Sequence, residues 1–397
     1  MTQTPLNILV VGGGIAGCSA AISLTQRGHR VRIIEKQTAW RFQSSGIFVY
    51  ANGLVSLGKL GLLEEFLAAG FAIPGGRNVY YDHTGAPIVD TIYPWADGGN
   101  IPAILGIKRA EMHRIMAARV AELGVPVQLG TTVLALDQTE RSVLANLSDK
   151  TQIDVDLVIG ADGLRSAVRG LIGIEAEPRY TGVGVWRSVH RRPPELTDKI
   201  MMMGPAKRFG IMPISDNLLY TFGTVSEPKG SFYDPARWAA TMRKRFAEFA
   251  GPATQFLESL DGQSEVLYTA VEEVVLPLPW HRGRVLLIGD AAHASTPFMG
   301  QGGAMAMQDA VVLATALDAE GTLGERLAAF GDARLPVCQY VQDVSRAVGE
   351  AGAQELDGQL DARNADMRDT AQGKVDGFYA KLAQLNAEAD ARFHGTE

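Results

Sequence analysis

Three glycines near the start of the chain form the first pattern that could do chemistry. The spacing Gly12-x-Gly14-x-x-Gly17 follows an apolar run of strand length and precedes an apolar, Ala-rich helical pattern. A second apolar run then ends on the acid Glu35. This order predicts a βαβ unit that holds a dinucleotide. Gly12 permits the tight turn, Gly14 lets the backbone approach a pyrophosphate, and Gly17 lets the helix pack on the strand.

The helix after Gly14 offers free N–H groups and the positive end of its dipole to phosphates. Ile15 and Ala16 at its start, and Lys36 beside Glu35, are further candidate cofactor contacts. The motif does not separate NAD from FAD. Two simpler interpretations stay open: a glycine-rich turn without a ligand, and a strand-end carboxylate that is merely solvated.

Acids follow two more strand patterns. Asp162 and Gly163 come directly after an apolar run at residues 157–160, and Gly289 and Asp290 follow another at 285–288. The carboxyl ends of strands in such sheets carry ligand contacts, so we expect these residues near the first glycine loop. The alternatives are a turn-forming role for Asp162 and a helix N-cap role for Asp290.

A second glycine-rich loop follows Asp290 and leads into a strongly apolar helical pattern at residues 304–317. The candidate site residues in this loop are Pro297, Phe298, Gly300, Gly302 and Gly303. His293 precedes them, and the sequence shows no nucleophile or partner acid for it, which favours a structural histidine over a base.

Composition limits the class of protein. A chain of 397 residues exceeds the usual single core, so one large or two interleaved domains are expected. The net charge of −7 without a long basic run argues against a nucleic-acid partner and an anionic membrane surface. We find neither a spanning apolar stretch nor a leader-like start. Cys18 and Cys338 lack metal-site spacing, which predicts reduced thiols, no bound metal and a cytoplasmic location.

The pattern of elements predicts an α/β fold. A Rossmann-like parallel sheet with helices is interleaved with a mostly β domain and followed by C-terminal helices. We assign residues 1–72, 101–174 and 276–345 to the cofactor domain, and residues 73–100 and 175–275, which are rich in aromatic and β-like segments, to a substrate domain. Residues 346–397 are polar and charged, and we expect surface helices with a frayed tail there.

Together, the three motifs resemble the single-component (class A) FAD-dependent aromatic hydroxylases over about residues 6–345. The most diagnostic part is the phrase from Gly289-Asp290 through His293, Pro297 and Gly300 to Gly302. Within that family the chain is similar to urate and pyridine ring hydroxylases. The resemblance implies a tightly held FAD, NADH or NADPH as a visiting co-substrate, and O2. It also implies hydroxylation of a small aromatic or heteroaromatic ring through a flavin C4a-hydroperoxide.

The resemblance implies roles for individual residues. Glu35 is expected to bind the adenosine ribose, and Arg109, at the start of a helical pattern, to contact the cofactor near the pyrophosphate and ribityl chain. Arg41 matches an arginine beside the mobile flavin. Asp162 is expected in the groove that serves FAD and the nicotinamide, and Asp290 at the ribityl hydroxyls.

Gly302 and Gly303 are expected beside the flavin ring, where the following helix stabilises negative charge. One departure is the sequence Gln43-Ser44-Ser45 before Gly46, where relatives often have a Gly-Ala pair. It implies slightly different mobility of, or access to, the flavin edge.

The sequence shows no catalytic base, so the catalytic residues stay unassigned and the flavin itself is expected to react. The candidate substrate-pocket residues are Arg208, Phe222, Pro297 and Phe298. Arg208 suits an acidic ring substrate, and a surface arginine is the equal alternative. Competing functions are flavin-dependent halogenation or epoxidation, disfavoured by the absence of a W-x-W-x-I-P sequence, and flavin binding without turnover. The ring substrate, NADH against NADPH, and monomer against homodimer stay open.

Overall fold

The structure, a computed structural model, describes residues 4–40, 45–353 and 357–393. Its helices are α1 (Ile15–Gln26), α2 (Ala51–Lys59), α3 (Leu63–Ala69), α4 (Arg109–Glu122), α5 (Ala167–Leu171), α6 (Trp238–Arg245), α7 (Thr254–Glu258), α8 (Asp290–His293), α9 (Gly302–Leu317), α10 (Leu323–Ala353) and α11 (Leu360–Ala391).

The strands follow the chain in the same way. They are β1 (Asn7–Val11), β2 (Arg30–Glu35), β3 (Gly46–Tyr50), β4 (Phe71–Ala72), β5 (Arg77–Asp82), β6 (Pro87–Ile92), β7 (Ile104–Lys108), β8 (Val127–Leu129), β9 (Val133–Gln138), β10 (Val143–Leu147), β11 (Gln152–Val155), β12 (Leu157–Gly160), β13 (Arg179–Arg191), β14 (Lys199–Gly204), β15 (Lys207–Pro213), β16 (Leu218–Ser226), β17 (Val266–Glu273), β18 (His281–Arg282) and β19 (Val285–Leu287).

A six-stranded sheet in the order β18-β19-β12-β1-β2-β8 carries the predicted cofactor motifs. Strand β1 pairs in parallel with β2 and β12, and β12 pairs in parallel with β19. Helices cover both faces of parallel sheets, which explains why β1, β12 and β19 are almost wholly apolar and buried. Their carboxyl ends lie side by side, so the residues after each strand meet at one edge.

A second, seven-stranded sheet has the order β17-β13-β16-β15-β14-β5-β6. The hairpin β5–β6 comes from an earlier part of the chain and joins the sheet through parallel pairing of β5 with β14. Aromatic and aliphatic side chains form a separate core on this sheet, among them Trp186, Phe209 and Phe246. The domain limits given above stay a prediction, although this pairing unites parts of residues 73–100 and 175–275 in one sheet.

Two smaller sheets complete the framework, β11-β10-β9 and β3-β7-β4. The latter bridges the two larger sheets, because a Cβ atom added at Gly106 on β7 would come within 1.9 Å of the Pro213 carbonyl oxygen on β15. No side chain fits at this crossing, so glycine allows the backbones to approach.

The C-terminal helices differ from the surface helices that the polar sequence predicted. Helix α11 packs on α10 and on β6, and it buries Phe378 and Leu382. The Phe378 ring stacks on Tyr340 of α10 at a centroid distance of 5.5 Å. The prediction was wrong for the inner side of α11, because apolar side chains spaced along a mostly charged helix still form one buried stripe. No helix among the described residues combines the length and apolarity of a membrane span.

Candidate active site

The backbone of the first glycine loop leaves space for a phosphate group beside Gly14. Gly12 has a φ of +106°, and a Cβ atom there would lie 2.5 Å from the Ala161 carbonyl oxygen. At Gly17 a Cβ atom would lie 1.8 Å from the Gly12 carbonyl oxygen, so the start of α1 packs directly on the turn. A Cβ atom at Gly14 would meet nothing within 4 Å. Gly12 and Gly17 therefore serve packing, and Gly14 leaves space for a ligand.

Glu35 is held against this loop. Its carboxylate accepts hydrogen bonds from the backbone N–H groups of Gly13 and Gln37, both at 2.8 Å. The Trp40 ring covers Gly13 and makes an edge contact with His113 at 5.2 Å between centroids. Carboxylate oxygens have further lone pairs, so Glu35 can still accept hydroxyl groups of a ribose.

Two further predicted cofactor residues stay predictions. Lys36 is exposed beside Glu35 at the end of β2. Arg41 lies outside the described residues, as do Gln43 and Ser44 of the departure noted above.

The Asp162 side chain points back to its own loop. Its carboxylate accepts hydrogen bonds from Ser166 Oγ at 2.5 Å and from the backbone N–H groups of Ala167 and Val168 at 2.7 and 3.1 Å. These contacts order the start of α5, which agrees with the turn-forming interpretation. Gly163 and Ala161, on either side of Asp162, line the neighbouring cavity.

A cavity of about 1120 Å³ extends from the first glycine loop to the seven-stranded sheet. The predicted cofactor residues on its wall are Gly14, Ile15, Ala16, Arg109, Gly163, Asp290, Pro297, Gly300, Gly302 and Gly303. All four predicted pocket residues also line it, namely Arg208, Phe222, Pro297 and Phe298. Gly12, Gly17 and Gly289 shape the backbone around it, since a Cβ atom at Gly289 would come within 2.8 Å of the Ala16 side chain. The structure therefore brings most of the predicted residues to one place.

Arg109 and Asp290 carry opposite charges in this cavity. Both are open to the cavity, yet the protein around it displaces most of the water near them. This desolvation raises the pKa of Asp290, and the charge of Arg109 opposes the rise. Desolvation likewise lowers the pKa of Arg109, with Asp290 opposing and Arg187 reinforcing the shift. Such a pair suits hydrogen bonding to hydroxyl and phosphate groups.

The second glycine loop places a helix end at the cavity. Gly302 is the first residue of α9, and no side chain caps this helix. Below the loop, Gly300 has a φ of +64° and packs against the Tyr50 ring. A Cβ atom at Gly303 would have its nearest neighbour, Ile47, at 3.5 Å. The uncapped start of α9 therefore lies at the cavity, where its N–H groups can stabilise negative charge on a ligand.

His293 has an acidic partner that the sequence did not reveal. Its Nε2 atom lies 2.7 Å from Asp309 Oδ2, which also accepts the backbone N–H of Gly289 at 2.8 Å. The second oxygen of Asp309 accepts from Arg334 Nε at 2.8 Å. The expectation that His293 has no partner acid was wrong because Asp309 lies 16 residues away, on the next long helix. The structural interpretation of His293 fits its full burial.

The charges of His293, Asp309 and Arg334 determine the pKa values within this buried group. Burial alone would raise the pKa of Asp309, but the charges of His293 and Arg334 bring it to about 2. Burial opposes protonation of His293, and the Asp309 carboxylate outweighs it and raises the pKa of His293 well above its ordinary value. The group is therefore an ionised network that fixes α9 to the strand end before Asp290.

Ligand atoms of His293, Asp309 and Cys338 lie within 4.8 Å of one another, as in a metal site. However, the Asp309 oxygens already accept hydrogen bonds from Gly289, His293 and Arg334. A metal ion here would have to compete with the Arg334 guanidinium, so the donor set suits an ion pair better than a metal.

Several cavity residues carry no sequence signal. Lys199 at the start of β14 is only 4% exposed, and burial lowers its pKa to about 7. Phe48, Tyr50 and Tyr93 surround its ammonium group. These residues come from three separate segments without a common spacing, so only the folded chain shows them together.

Comparison with known proteins gives consistent matches over most of the chain. The profile of the FAD binding domain family matches residues 5–345. The chain is 31% identical to the aurachin C monooxygenase/isomerase of Stigmatella aurantiaca, over 89% of this chain and 91% of that protein. It is 32% identical to the 2-heptyl-3-hydroxy-4(1H)-quinolone synthase of Pseudomonas aeruginosa, over 91% and 94%. Its fold is similar to the crystal structure of Klebsiella pneumoniae HpxO with FAD and uric acid, with a TM-score of 0.84, 26% identity, and 95% and 97% coverage.

Proposed function

Because the chain belongs to the FAD binding domain family, we propose that it is an FAD-dependent monooxygenase that hydroxylates a small aromatic or heteroaromatic ring with NADH or NADPH and O2. The observation that carries this proposal is the cavity of about 1120 Å³, which joins the glycine loops to an aromatic chamber on the seven-stranded sheet. A cofactor and a ring substrate therefore have adjoining places in one space.

The residues at the cofactor end fit FAD. The free N–H groups at the start of α1 and the open side of Gly14 suit its pyrophosphate. Glu35 would accept the adenosine ribose hydroxyls, and Arg109 and Asp290 would hold the chain between phosphate and flavin. Bound FAD supplies the redox chemistry, from hydride acceptance to activation of O2. The protein orients it and stabilises charge on it through the N-terminus of α9.

The other end of the cavity suits a flat ring. Phe222 stacks on Tyr220 at 5.4 Å and meets the Phe48 ring edge-on at 5.5 Å. Phe298, on the second glycine loop, also lines the cavity and packs against Gly349 of α10. Aromatic walls of this kind hold an aromatic substrate by stacking and exclude water from the reacting carbon.

Helix α11 covers this chamber. Arg363 donates hydrogen bonds to the carbonyl oxygens of Gly204 at 3.1 Å and Met203 at 2.9 Å at the end of β14. Gln372 accepts from the backbone N–H of Ile92 at 2.8 Å and donates to its carbonyl oxygen at 2.9 Å. The cover keeps bulk water out, and water exclusion protects reactive oxygen species from wasteful decay.

The charge of the cavity wall favours an acidic or electron-rich ring. Its basic residues are Arg109, Arg187, Lys199, Arg208, Arg363 and Lys374, and its acidic residues are Asp290 and Asp366. Asp366 pairs with Lys374 at 2.8 Å, which leaves an excess of positive charge. One relative named above is a synthase of a hydroxyquinolone, and the similar crystal structure contains uric acid; both rings carry oxo or hydroxyl groups.

We place the enzyme in the cytoplasm, as a monomer or a homodimer that binds neither nucleic acid nor membranes. Cys18 and Cys338 are both buried free thiols, and the net charge is −7. Reduced thiols are typical of cytoplasmic proteins. Size-exclusion chromatography with light scattering determines the oligomeric state.

The test is an oxygen-uptake assay on the purified yellow protein. NADH and NADPH are compared with and without uric acid, 4-hydroxyquinolines and hydroxypyridine carboxylates. Substrate-stimulated oxidation with a product heavier by one oxygen atom is expected. A protein that takes up no FAD contradicts the proposal. An FAD-loaded protein that never oxidises NAD(P)H indicates flavin binding without turnover, and a chlorinated product indicates a halogenase.

A further inference from the structure

Lys199 is a buried cation at the substrate end of the cavity. It is the first residue of β14, where it pairs with Asn78 of β5. Its Nζ atom lies 3.3 Å from the Tyr93 hydroxyl and 4.7 Å from the centre of the Tyr93 ring. Phe48 and Tyr50 contribute further ring faces at 5.6 and 5.8 Å. The ammonium is thus enclosed by aromatic rings.

No acidic side chain in the described part of the chain pairs with this ammonium. The adjacent Asp198 instead binds Arg77 at 2.6 Å. The faces of aromatic rings attract a cation, but this attraction offsets only part of the hydration free energy that a buried ammonium group loses. An apolar side chain of the same length would fill this place at lower cost. The fold therefore maintains a charge here that nothing within its described residues neutralises.

We propose that Lys199 binds the ionised ring oxygen of the substrate. The inference rests on the proposed function and deepens it, because it selects hydroxy- or oxo-substituted rings whose oxygen can carry negative charge. The site is apolar and already cationic, so a ring with an oxygen anion supplies the missing counter-ion, whereas a methyl ether of the same shape does not.

The pairing also moves a proton. With a pKa of about 7, Lys199 is partly neutral in the free protein. The neutral amine accepts the proton of the ring hydroxyl: the O–H bond breaks, an N–H bond forms, and the electron pair stays on oxygen. The resulting anion donates electron density into the ring, which makes the ring carbon more reactive toward an electrophilic oxygen.

Other ionisable groups surround Lys199, directly or through its rings, namely Tyr50, Tyr80, Tyr93, Tyr379 and Arg208. Burial raises the pKa of all four tyrosines. The ionisation of a bound phenol near pH 7 is therefore coupled to Lys199.

The experiment measures binding of 4-nitrophenol and 4-nitroanisole to the FAD-loaded protein without NAD(P)H. The yellow phenolate band reports how much 4-nitrophenol binds as the anion. The variant is Lys199→Met, which keeps the length of the side chain, and the control is Lys59→Met, at an exposed surface lysine. We expect Lys199→Met to weaken phenolate binding at least about tenfold and to leave 4-nitroanisole binding unchanged. Lys59→Met should leave both unchanged.

Three outcomes would overturn the inference: the wild-type protein binds no 4-nitrophenolate, Lys199→Met binds it as well as the wild type, or the variant loses both ligands equally. The last outcome would assign Lys199 a packing role. Flavin absorbance of the variant verifies that the cofactor site is intact. Because the measurement needs no turnover, absence of NAD(P)H oxidation would contradict the proposed function and leave this result standing.

Discussion

The backbone N–H of Gly289 donates a hydrogen bond to Asp309 Oδ2 at 2.8 Å, inside the protein. Gly289 lies between β19 and Asp290, and Asp309 lies in the middle of α9, whose first residue borders the cavity. The bond therefore ties two parts of the flavin site together. His293 and Arg334 complete the network on the same carboxylate.

Loss of the Asp309 charge should destabilise the fold strongly. In Asp309→Asn, Arg334 and His293 remain buried without their counter-ion, and we expect the free energy of unfolding to fall by about 3–5 kcal/mol. Urea denaturation measures the change. Asp318→Asn is the matched control, because Asp318 forms a partly exposed pair with Arg27, and its loss should cost less than about 1 kcal/mol. Equal effects of the two substitutions would contradict the prediction.

The same network should set the pH range of stability. The pKa of Asp309 is lowered to about 2 from 3.8, so its contribution is present above pH 3.8 and is lost as the pH falls through 2. The pKa of His293 is raised above 6.5, so its contribution is complete below 6.5 and is lost as the pH rises toward the native value. The wild type and His293→Asn should be compared from pH 4 to 9, because their difference cancels the opposite contribution of Lys199. The stability advantage of the wild type should shrink on the alkaline side, and a difference that does not change with pH would count against the ionised pair.

Gly14 and Gly17 should respond differently to the same added methyl group. Gly14→Ala points into open space, so the apoprotein should keep its stability within about 0.5 kcal/mol while FAD affinity falls at least about tenfold. Gly17→Ala places the methyl 1.8 Å from a backbone oxygen and should prevent stable folding. Flavin fluorescence and thermal melting give the two readouts. Unimpaired FAD binding by Gly14→Ala would place the pyrophosphate elsewhere.

The buried Lys199 should lower the free energy of unfolding at and below neutral pH. Its native pKa of about 7 lies below the ordinary 10.5, so the unfolded chain holds more protons between these values and stability rises with pH there. We expect Lys199→Met to be more stable than the wild type by roughly 3–5 kcal/mol below pH 7, with the difference shrinking by pH 10. Chemical denaturation of both proteins at several pH values measures this. A destabilised variant at pH 6 would show that the ammonium is compensated.

Phe378 should protect the reaction from water. It is 5% exposed and stacks on Tyr340 beneath the cover formed by α11. Phe378→Leu should cost about 1–2 kcal/mol and raise the fraction of NAD(P)H that is oxidised without product. The ratio of product to NAD(P)H consumed is the measurement. Phe232→Leu, at a side chain that is 83% exposed, is the control. A ratio unchanged by Phe378→Leu would remove α11 from this role.

Local motifs predicted much of the cofactor end of the site. The spacing of Gly12, Gly14 and Gly17 depends on contacts within one βαβ unit, which the chain encodes in adjacent residues. Asp290 was predictable for the same reason, because it directly follows an apolar strand. Asp162 was identified by position, whereas its side chain closes its own loop.

The substrate end could not be derived in this way. Lys199, Tyr93 and Tyr50 come from different strands and loops, and only sheet pairing brings them around one space. Asp309, the partner of His293, was not predicted for the same reason. The polar composition of α11 gave no sign of its buried inner face.

The amino-acid sequence by itself determined the FAD-binding framework, since strand, glycine and helix patterns are local and the order of parallel strands brings their carboxyl ends to one edge. The tertiary structure alone decided which side chains line the substrate end of the cavity. The pKa of a buried charged group depends on how much water and how many counter-ions the surrounding elements exclude. Those elements are distant in the sequence, so no spacing along the chain records that environment.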